Sequence, residues 1–305
     1  MPIATRLTAN GTFLVNGIFD EYTSIAPSKF RTTSNTVYAS QLDEYTINSG
    51  SIAKRENFDG TLQIKGFFDE FTGAPVIDNS LKFWLDAGQN TSYSGTGTTW
   101  TDISSSGANA TLFGAPTYSS TNYGGAFTFV PASSQYANTS TNLGNMSTWT
   151  IEATFKVSAD LTNQVTTVLT NIYNGASSLN FSMGTNNAGV VPGAAQWNIC
   201  VGFFDGSWRN TTGFAPVLNT WYHVVGTYNG STIVQYLNGA QNSTLNYSGT
   251  PTSGGAIRIA RRWDDVVKST NLFPGDISVI KIYNRALSLD EVTSNYNALR
   301  NRYGI

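Results

Sequence analysis

Apolar and polar residues alternate over much of this chain, and the alternation predicts strands. In Trp149–Val157, Ile151, Ala153, Phe155 and Val157 share one parity and Glu152, Thr154 and Lys156 the other. Successive side chains of a strand point to opposite faces, so the first set is predicted to face a core and Glu152 to face solvent. The run LKFWLDAG from Leu81, Ala110–Phe113 and Phe127–Val130 read as strands in the same way. Ile277–Tyr283 differs, because Ile277, Val279 and Tyr283 point one way and Ile280 and Ile282 the other. Both faces are apolar, and this strand is predicted to lie inside a sheet stack.

After Asn284-Arg285 the period becomes that of a helix. Ser288 is a predicted N-cap, Glu291 stands three residues on where a capping box needs it, and Leu287 and Val292 are placed for a hydrophobic staple. Asp290 and Glu291 suit the positive start of the helix and Arg300 and Arg302 its negative end. Val292, Tyr296 and Leu299 form one stripe, so the helix is predicted to lie across the edge or end of a large β-structure. Between the strands, Asp205-Gly206, Asn229-Gly230 and Asn238-Gly239 supply the residue types of type I' hairpin turns and predict an antiparallel meander.

The first 80 residues contain a repeat. NGTFLVNGIFDEYT from Asn10 and DGTLQIKGFFDEFT from Asp59 share a pattern whose ending recurs as LDEYT from Leu42, placing carboxylate pairs at Asp20, Asp43 and Asp69. The spacing suits one β-hairpin per unit. Adjacent Asp and Glu point to opposite faces of a strand, so these pairs read as turn or edge-protecting devices, not as an acid/base couple. So few short strands bury little core, and the region is expected to be completed by another copy of itself or by a partner surface. Gly73-Ala74-Pro75 marks the boundary. The predicted organisation is a β-repeat docking region over 1–73, a linker over 74–80 and a β-sandwich over 81–305.

The ending, with Phe273, Gly275, Ile277, Tyr283-Asn284-Arg285-Ala286-Leu287-Ser288 and Glu291-Val292, resembles the closing segment of the laminin G-like, concanavalin A-like jelly-roll family. GAFTFVPASSQY from Gly125, WTIEATFKV from Trp149 and WYHVVGTYNGSTIVQYLN from Trp221 fit the same family in order. The resemblance implies an all-β antiparallel β-sandwich with one C-terminal helix. Met1 to about Gly73 is similar to the N-terminal blocks of structural proteins of tailed phages, particularly marine cyanobacterial ones, that carry a laminin G-like module. That similarity implies a virion structural protein whose partners are other virion proteins and copies of itself.

Charged residues make up only 12% of the chain against 40% hydrophobic, which leaves a neutral surface of Thr, Ser, Asn and Gly. A net charge of -2 offers no basic footprint, so nucleic acid is not an expected partner. The single cysteine, Cys200, excludes an intramolecular disulfide framework and reads as a buried thiol. The N-terminus has no basic start followed by an apolar stretch, and no apolar run approaches membrane-spanning length. The expectation is synthesis in a host cytoplasm, no membrane partner and a final place in the virion.

Catalytic candidates are scarce. His223 is the only histidine; in WYHVVGTY it shares a face with Trp221, Val225 and Thr227, without a nucleophile elbow, and reads as structural. No catalytic residue is assigned. Calcium is the one metal that the laminin G-like resemblance implies at a sandwich rim, and Asp264, Asp265 and Asp276 are the candidate ligands, with Arg261 and Arg262 offering charge pairing instead. No other cofactor is expected. For a host-surface glycan, Trp208 and Trp263 lie near predicted loops and are the candidate platforms, whereas Trp84, Trp149 and Trp221 read as core. The sequence therefore points to a non-enzymatic structural and adhesion protein, with a free lectin as the alternative and a glycan hydrolase behind it.

Overall fold

The structure is a computed structural model. It describes residues 75, 78–121, 124–162, 164–171, 181–185, 198–251, 255–262 and 271–305, and the backbone alone of 4–6, 13–15, 44–47, 50–55, 62–64 and 179–180. The chain divides into two compact units, Met1–Thr72 and Gly73–Ile305. In the first, β1 (Ala4–Arg6), β2 (Phe13–Val15), β3 (Glu44–Ile47), β4 (Gly50–Arg55) and β5 (Leu62–Ile64) form an antiparallel sheet in the order β1-β2-β5-β4-β3. The two equivalent repeat strands are β2 and β5, and they pair with each other, Phe13 opposite Ile64. Asp20, Asp43 and Asp69 lie outside the described residues.

The second unit is a two-sheet antiparallel sandwich. Its strands are β6 (Leu81–Asp86), β7 (Thr99–Trp100), β8 (Ala110–Phe113), β9 (Thr117–Ser119), β10 (Ala126–Phe129), β11 (Tyr136–Asn142), β12 (Trp149–Val157) and β13 (Thr167–Asn171). There follow β14 (Leu179–Thr185), β15 (Ile199–Phe204), β16 (Trp208–Asn210), β17 (Trp221–Tyr228), β18 (Thr232–Leu237), β19 (Ala240–Asn246), β20 (Ala256–Ile259) and β21 (Gly275–Tyr283). One sheet runs β19-β18-β17-β12-β21-β10-β9, with β6 also on β21; the facing sheet runs β16-β15-β14-β13-β20-β11-β8-β7. The only α-helix among the described residues, α1 (Leu289–Tyr303), packs on the outside of the first sheet, against β17 and β19.

The alternating residues meet in one core between the sheets. Ile151, Ala153 and Phe155 of β12 and Val224 of β17 face Leu169, Met183, Val201 and Ile259 of the facing sheet. Aromatic contacts cross the gap: Trp149 to Phe181 at 6.3 Å and Phe203 to Tyr228 at 4.9 Å between ring centroids. Gly226 makes the approach close, since a Cβ there would lie 2.8 Å from the Val201 Cβ. Buried Gln235 ties the layers, its Nε2 donating to Ile199 O at 3.0 Å and its Oε1 accepting from Thr211 Oγ1 at 2.6 Å. Satisfied on both ends, the amide costs little to bury.

Three sequence expectations change here. Ile277 belongs with Ile280 and Ile282 in the core, not with Val279 and Tyr283, because a bulge at Ser278 places Ile277 opposite Phe155 and Val279 opposite Thr154. Helix α1 covers a sheet face instead of an edge, because that face of β12, β17 and β21 carries Trp221, Val225, Val279 and Tyr283 and requires an apolar cover. Among the turns, only Asn238-Gly239 has positive φ at both residues, 50° and 78°. In the loops Asp205–Ser207 and Asn229–Ser231 only Gly206 and Gly230 are left-handed, because each loop has three residues, not two.

The helix start follows the sequence reading. Ser288 Oγ accepts from Glu291 N, Glu291 Oε2 accepts from Ser288 N at 2.8 Å, and Leu287 and Val292 are buried together. At the other end Gly304 caps in the left-handed conformation, and the bulge residue anchors the last turn: Ser278 Oγ accepts from Tyr303 Oη at 2.6 Å and from Arg302 Nη2 at 3.0 Å.

Candidate functional site

The chemically richest cluster lies beneath α1 and is closed to solvent. Glu152 is fully buried, a correction to its predicted solvent exposure: alternation turned it away from the core, and the helix then covered it. Its Oε1 accepts from Lys281 Nζ at 2.7 Å and its Oε2 from Asn295 Nδ2 at 2.6 Å, and Asn295 also donates to Tyr283 Oη at 3.1 Å. Burial alone would raise the Glu152 carboxyl, but the Lys281 charge and the adjacent His223 hold it well below the usual carboxylate range. His223 Nε2 lies 3.2 Å from the same Oε1 without the alignment of a hydrogen bond, and Nδ1 has no partner. With Glu152 and His223 fully buried, this is a structural ion cluster with no path for a substrate.

Most of the other described carboxylates are committed as well, exposed Asp160 and Asp290 excepted. Asp78 and Glu291 hold Arg285, Asp86 holds Arg302, Asp205 holds Arg209 and Asp276 holds Lys156. Asp102 accepts from the N–H groups of Trp84, Ser104 and Ala108 and from two serine hydroxyls. Asp276, at the start of β21, also accepts from Thr128 Oγ1 at 2.7 Å. Among the described residues no group of three or more His, Cys, Asp or Glu side chains could hold a metal ion. Asp264, Asp265 and Trp263 lie outside the described residues. Cys200 is buried, and burial pushes its thiol up to about 12.

The outside of the facing sheet has a different character. Strand register aligns Thr111, Asn138, Arg258, Thr170, Ser182, Gly202 and Asn210 in one polar row from β8 to β16. Thr111 is exposed and Asn138 half-buried; the rest are buried. Near one end Phe113, 40% exposed, stacks on Tyr136 at 4.8 Å and 19°, with the Arg261 guanidinium 4.6 Å from the Tyr136 ring centroid. At the other end β16 is the last strand, and Trp208 pairs with Phe204 across the β15–β16 ladder, their rings 5.3 Å apart. Asn210 shares that corner with a buried Oδ1 that has no partner, held over Gly202, where a Cβ would come within 2.2 Å of it.

Trp208 is thus half-buried on the last strand of its sheet among the described residues, and its strand is fixed by the turn at Asp205. Asp205 Oδ1 accepts from Arg209 Nε at 3.0 Å and Oδ2 from Tyr247 Oη at 2.5 Å, while the Arg209 guanidinium lies 4.1 Å from the Tyr247 ring centroid. Burial would raise the Asp205 carboxyl, but these donors lower it. Sequence reasoning found Trp208 from its distance to Asp205-Gly206. It missed Phe204, Arg209 and Tyr247; the available signal was parity, which puts Phe204 and Trp208 on one face once the hairpin register is known. Trp149 and Trp221 are buried, as read, and Trp84 is half-buried beneath the helix.

A corner that joins an aromatic pair to an amide and a stacked guanidinium can hold a polar ligand with apolar ring faces, and that chemistry sets the frame for the chain's likenesses. No curated protein matches its sequence. Among solved structures, the binding domain of botulinum neurotoxin DC in complex with SialylT is 14% identical, over 72% of this chain and 52% of that one, with a TM-score of 0.50. A tryptophan-to-alanine mutant of HCR D/C VPI 5995 is 15% identical over 72% of this chain and 52% of that one, with a TM-score of 0.52. Domain 4 of an extracellular arabinanase from Geobacillus stearothermophilus, in complex with arabinotriose, is 16% identical over 71% of this chain and 98% of that one, with a TM-score of 0.48. This chain spans about half the length of the first two. At these identities the likeness is one of fold. Residues 131–293, more than half of the chain, match the laminin G-type profile described as Concanavalin A-like lectin/glucanases superfamily, and the chain belongs to that superfamily.

Proposed function

We propose that the chain is a non-enzymatic structural and adhesion protein of a phage particle, with Met1–Thr72 serving assembly and Gly73–Ile305 presented for glycan contacts. The observation that carries the glycan reading is the β15–β16 corner, where half-buried Trp208 and Phe204 pair at 5.3 Å beside the Asn210 amide, on the last strand of the sheet among the described residues. Aromatic faces take the C–H side of a sugar and amides its hydroxyls. The non-enzymatic reading is supported by six of the described carboxylates, Asp78, Asp86, Glu152, Asp205, Asp276 and Glu291, each of which holds a cation, whereas a glycosidase keeps two carboxyl groups free to face the scissile bond. The virion role is supported by the repeat in residues 1–73 and its similarity to phage structural blocks.

A glycan panel with the full chain tests this reading. Trp208→Ala is expected to weaken binding about tenfold while leaving the thermal melt in place. Unchanged binding in that variant takes Trp208 out of the site, and new reducing ends released from any polysaccharide of the panel overturn the non-enzymatic assignment. Antibody against Gly73–Ile305 should label purified particles at a regular position; unlabelled particles, with the protein free in the lysate, would defeat the virion part and leave a lectin.

A further inference from the structure

We infer that the saccharide held at the β15–β16 corner is an acidic one and that Arg209 reads its carboxylate, an inference that rests on the glycan reading above. Arg209 differs from its fellow cations. Lys281, Lys156 and Arg285 are spent on protein carboxylates, and Arg302 on Asp86, Ser278 and two carbonyl groups. Arg209 gives one aligned hydrogen bond among the described residues, from Nε to Asp205 Oδ1 at 3.0 Å, and a weaker polar contact to Tyr247. The guanidinium is nonetheless fixed, one face on Tyr247 at 4.1 Å and one edge on Asp205, whose second oxygen is held by Tyr247 Oη. Its side chain is 32% exposed.

A planar fork held in this way, with its end open, matches the two oxygens of a carboxylate and takes both at little entropic cost. Asp205 makes the match selective. Its charge cancels that of Arg209 at a distance, so a diffuse anion gains little, and the gain comes only with two aligned hydrogen bonds. Trp208 and Arg209 leave β16 on opposite faces. A ligand touching both must lie across the outer edge of β16, the last strand of its sheet among the described residues, with a carboxylate on one side and a ring face on the other. A sugar acid meets both demands, since it carries a carboxylate and a C–H face on a compact ring; an acidic peptide supplies the first alone.

The test is titration of the full chain with oligogalacturonates and sialylated oligosaccharides, each against its methyl ester, which keeps the rings and removes the charge. The acids should bind at least tenfold more tightly than the esters, and Arg209→Lys, which keeps the charge but loses the fork, should abolish that preference. Circular dichroism and the melt confirm that the variant is folded, and Trp208→Ala should weaken acid and ester alike. Equal binding of acid and ester, or an unaltered preference in Arg209→Lys, overturns the acidic assignment and leaves the glycan reading intact. Binding of no member of the panel overturns both. Displacement of the saccharide by poly-glutamate at equal charge concentration also refutes the inference, assigning the fork to acidic peptide.

Discussion

Glu152 sets the acid sensitivity of the fold. Replacing it by Gln leaves Lys281, itself buried, without its counter-charge, and breaking such a pair costs about 3–5 kcal/mol. Its carboxyl is lowered in the folded protein from the ordinary 4.5 to about 2. Lowering means that the folded state favours the ionised form, so the contribution is complete above the unfolded value and is lost as pH falls from there toward about 2. Urea denaturation of wild type and Glu152→Gln should therefore differ most near neutrality and converge in acid; a constant gap across that window would remove the ion pair as its cause. The parity of Glu152 was readable from WTIEATFKV, but its burial was not. Alternation fixes the face a side chain takes, and what covers the face is decided by a helix far along the chain. Arg209 was hidden for a related reason, since Tyr247 comes from a different strand connection.

For elements, local chemistry was the more legible part. The capping box at Ser288, the staple of Leu287 and Val292 and the Gly304 cap follow from neighbours within four residues, and each is present. The place of the helix was misread because it depends on the apolar outside of β12, β17 and β21, which no local window contains. Ser288→Ala should lower stability by about 1 kcal/mol, the usual cost of an N-cap, seen as a shifted denaturation midpoint with an unchanged slope. An altered slope would mean instead that the helix detaches as a separate unit. Hairpin connections were recognised as turns, but their lengths had to be seen: Asn238-Gly239 closes in two residues, while Asp205 and Asn229 begin three-residue loops.

For the whole molecule, the family was legible from four ordered segments because each is a strand or strand-turn of the sandwich core. Sheet order was not, since parity says nothing about which strand sits beside which. β21 ends up flanked by β12, β10 and β6, all distant in sequence. The N-terminal repeat leads to a prediction at this scale: light scattering at high concentration should show a multimer for the full chain and a monomer after deletion of residues 1–72. A monomeric full chain would count against an assembly role for that unit.

The helix leaves the sandwich with a blind side. The helix α1 covers the middle of one sheet, so a ligand of Gly73–Ile305 has the other sheet, the outer strands of the first or the rim beside β16 to come to. In a crowded array each copy can then be productive only within a limited range of tilt, and its neighbours must stand clear of that rim. Many weak contacts add up only when their geometry lets them engage together. The C-terminal helix, on the sheet opposite the proposed corner, would thus influence how densely such copies can be set and still hold the same surface.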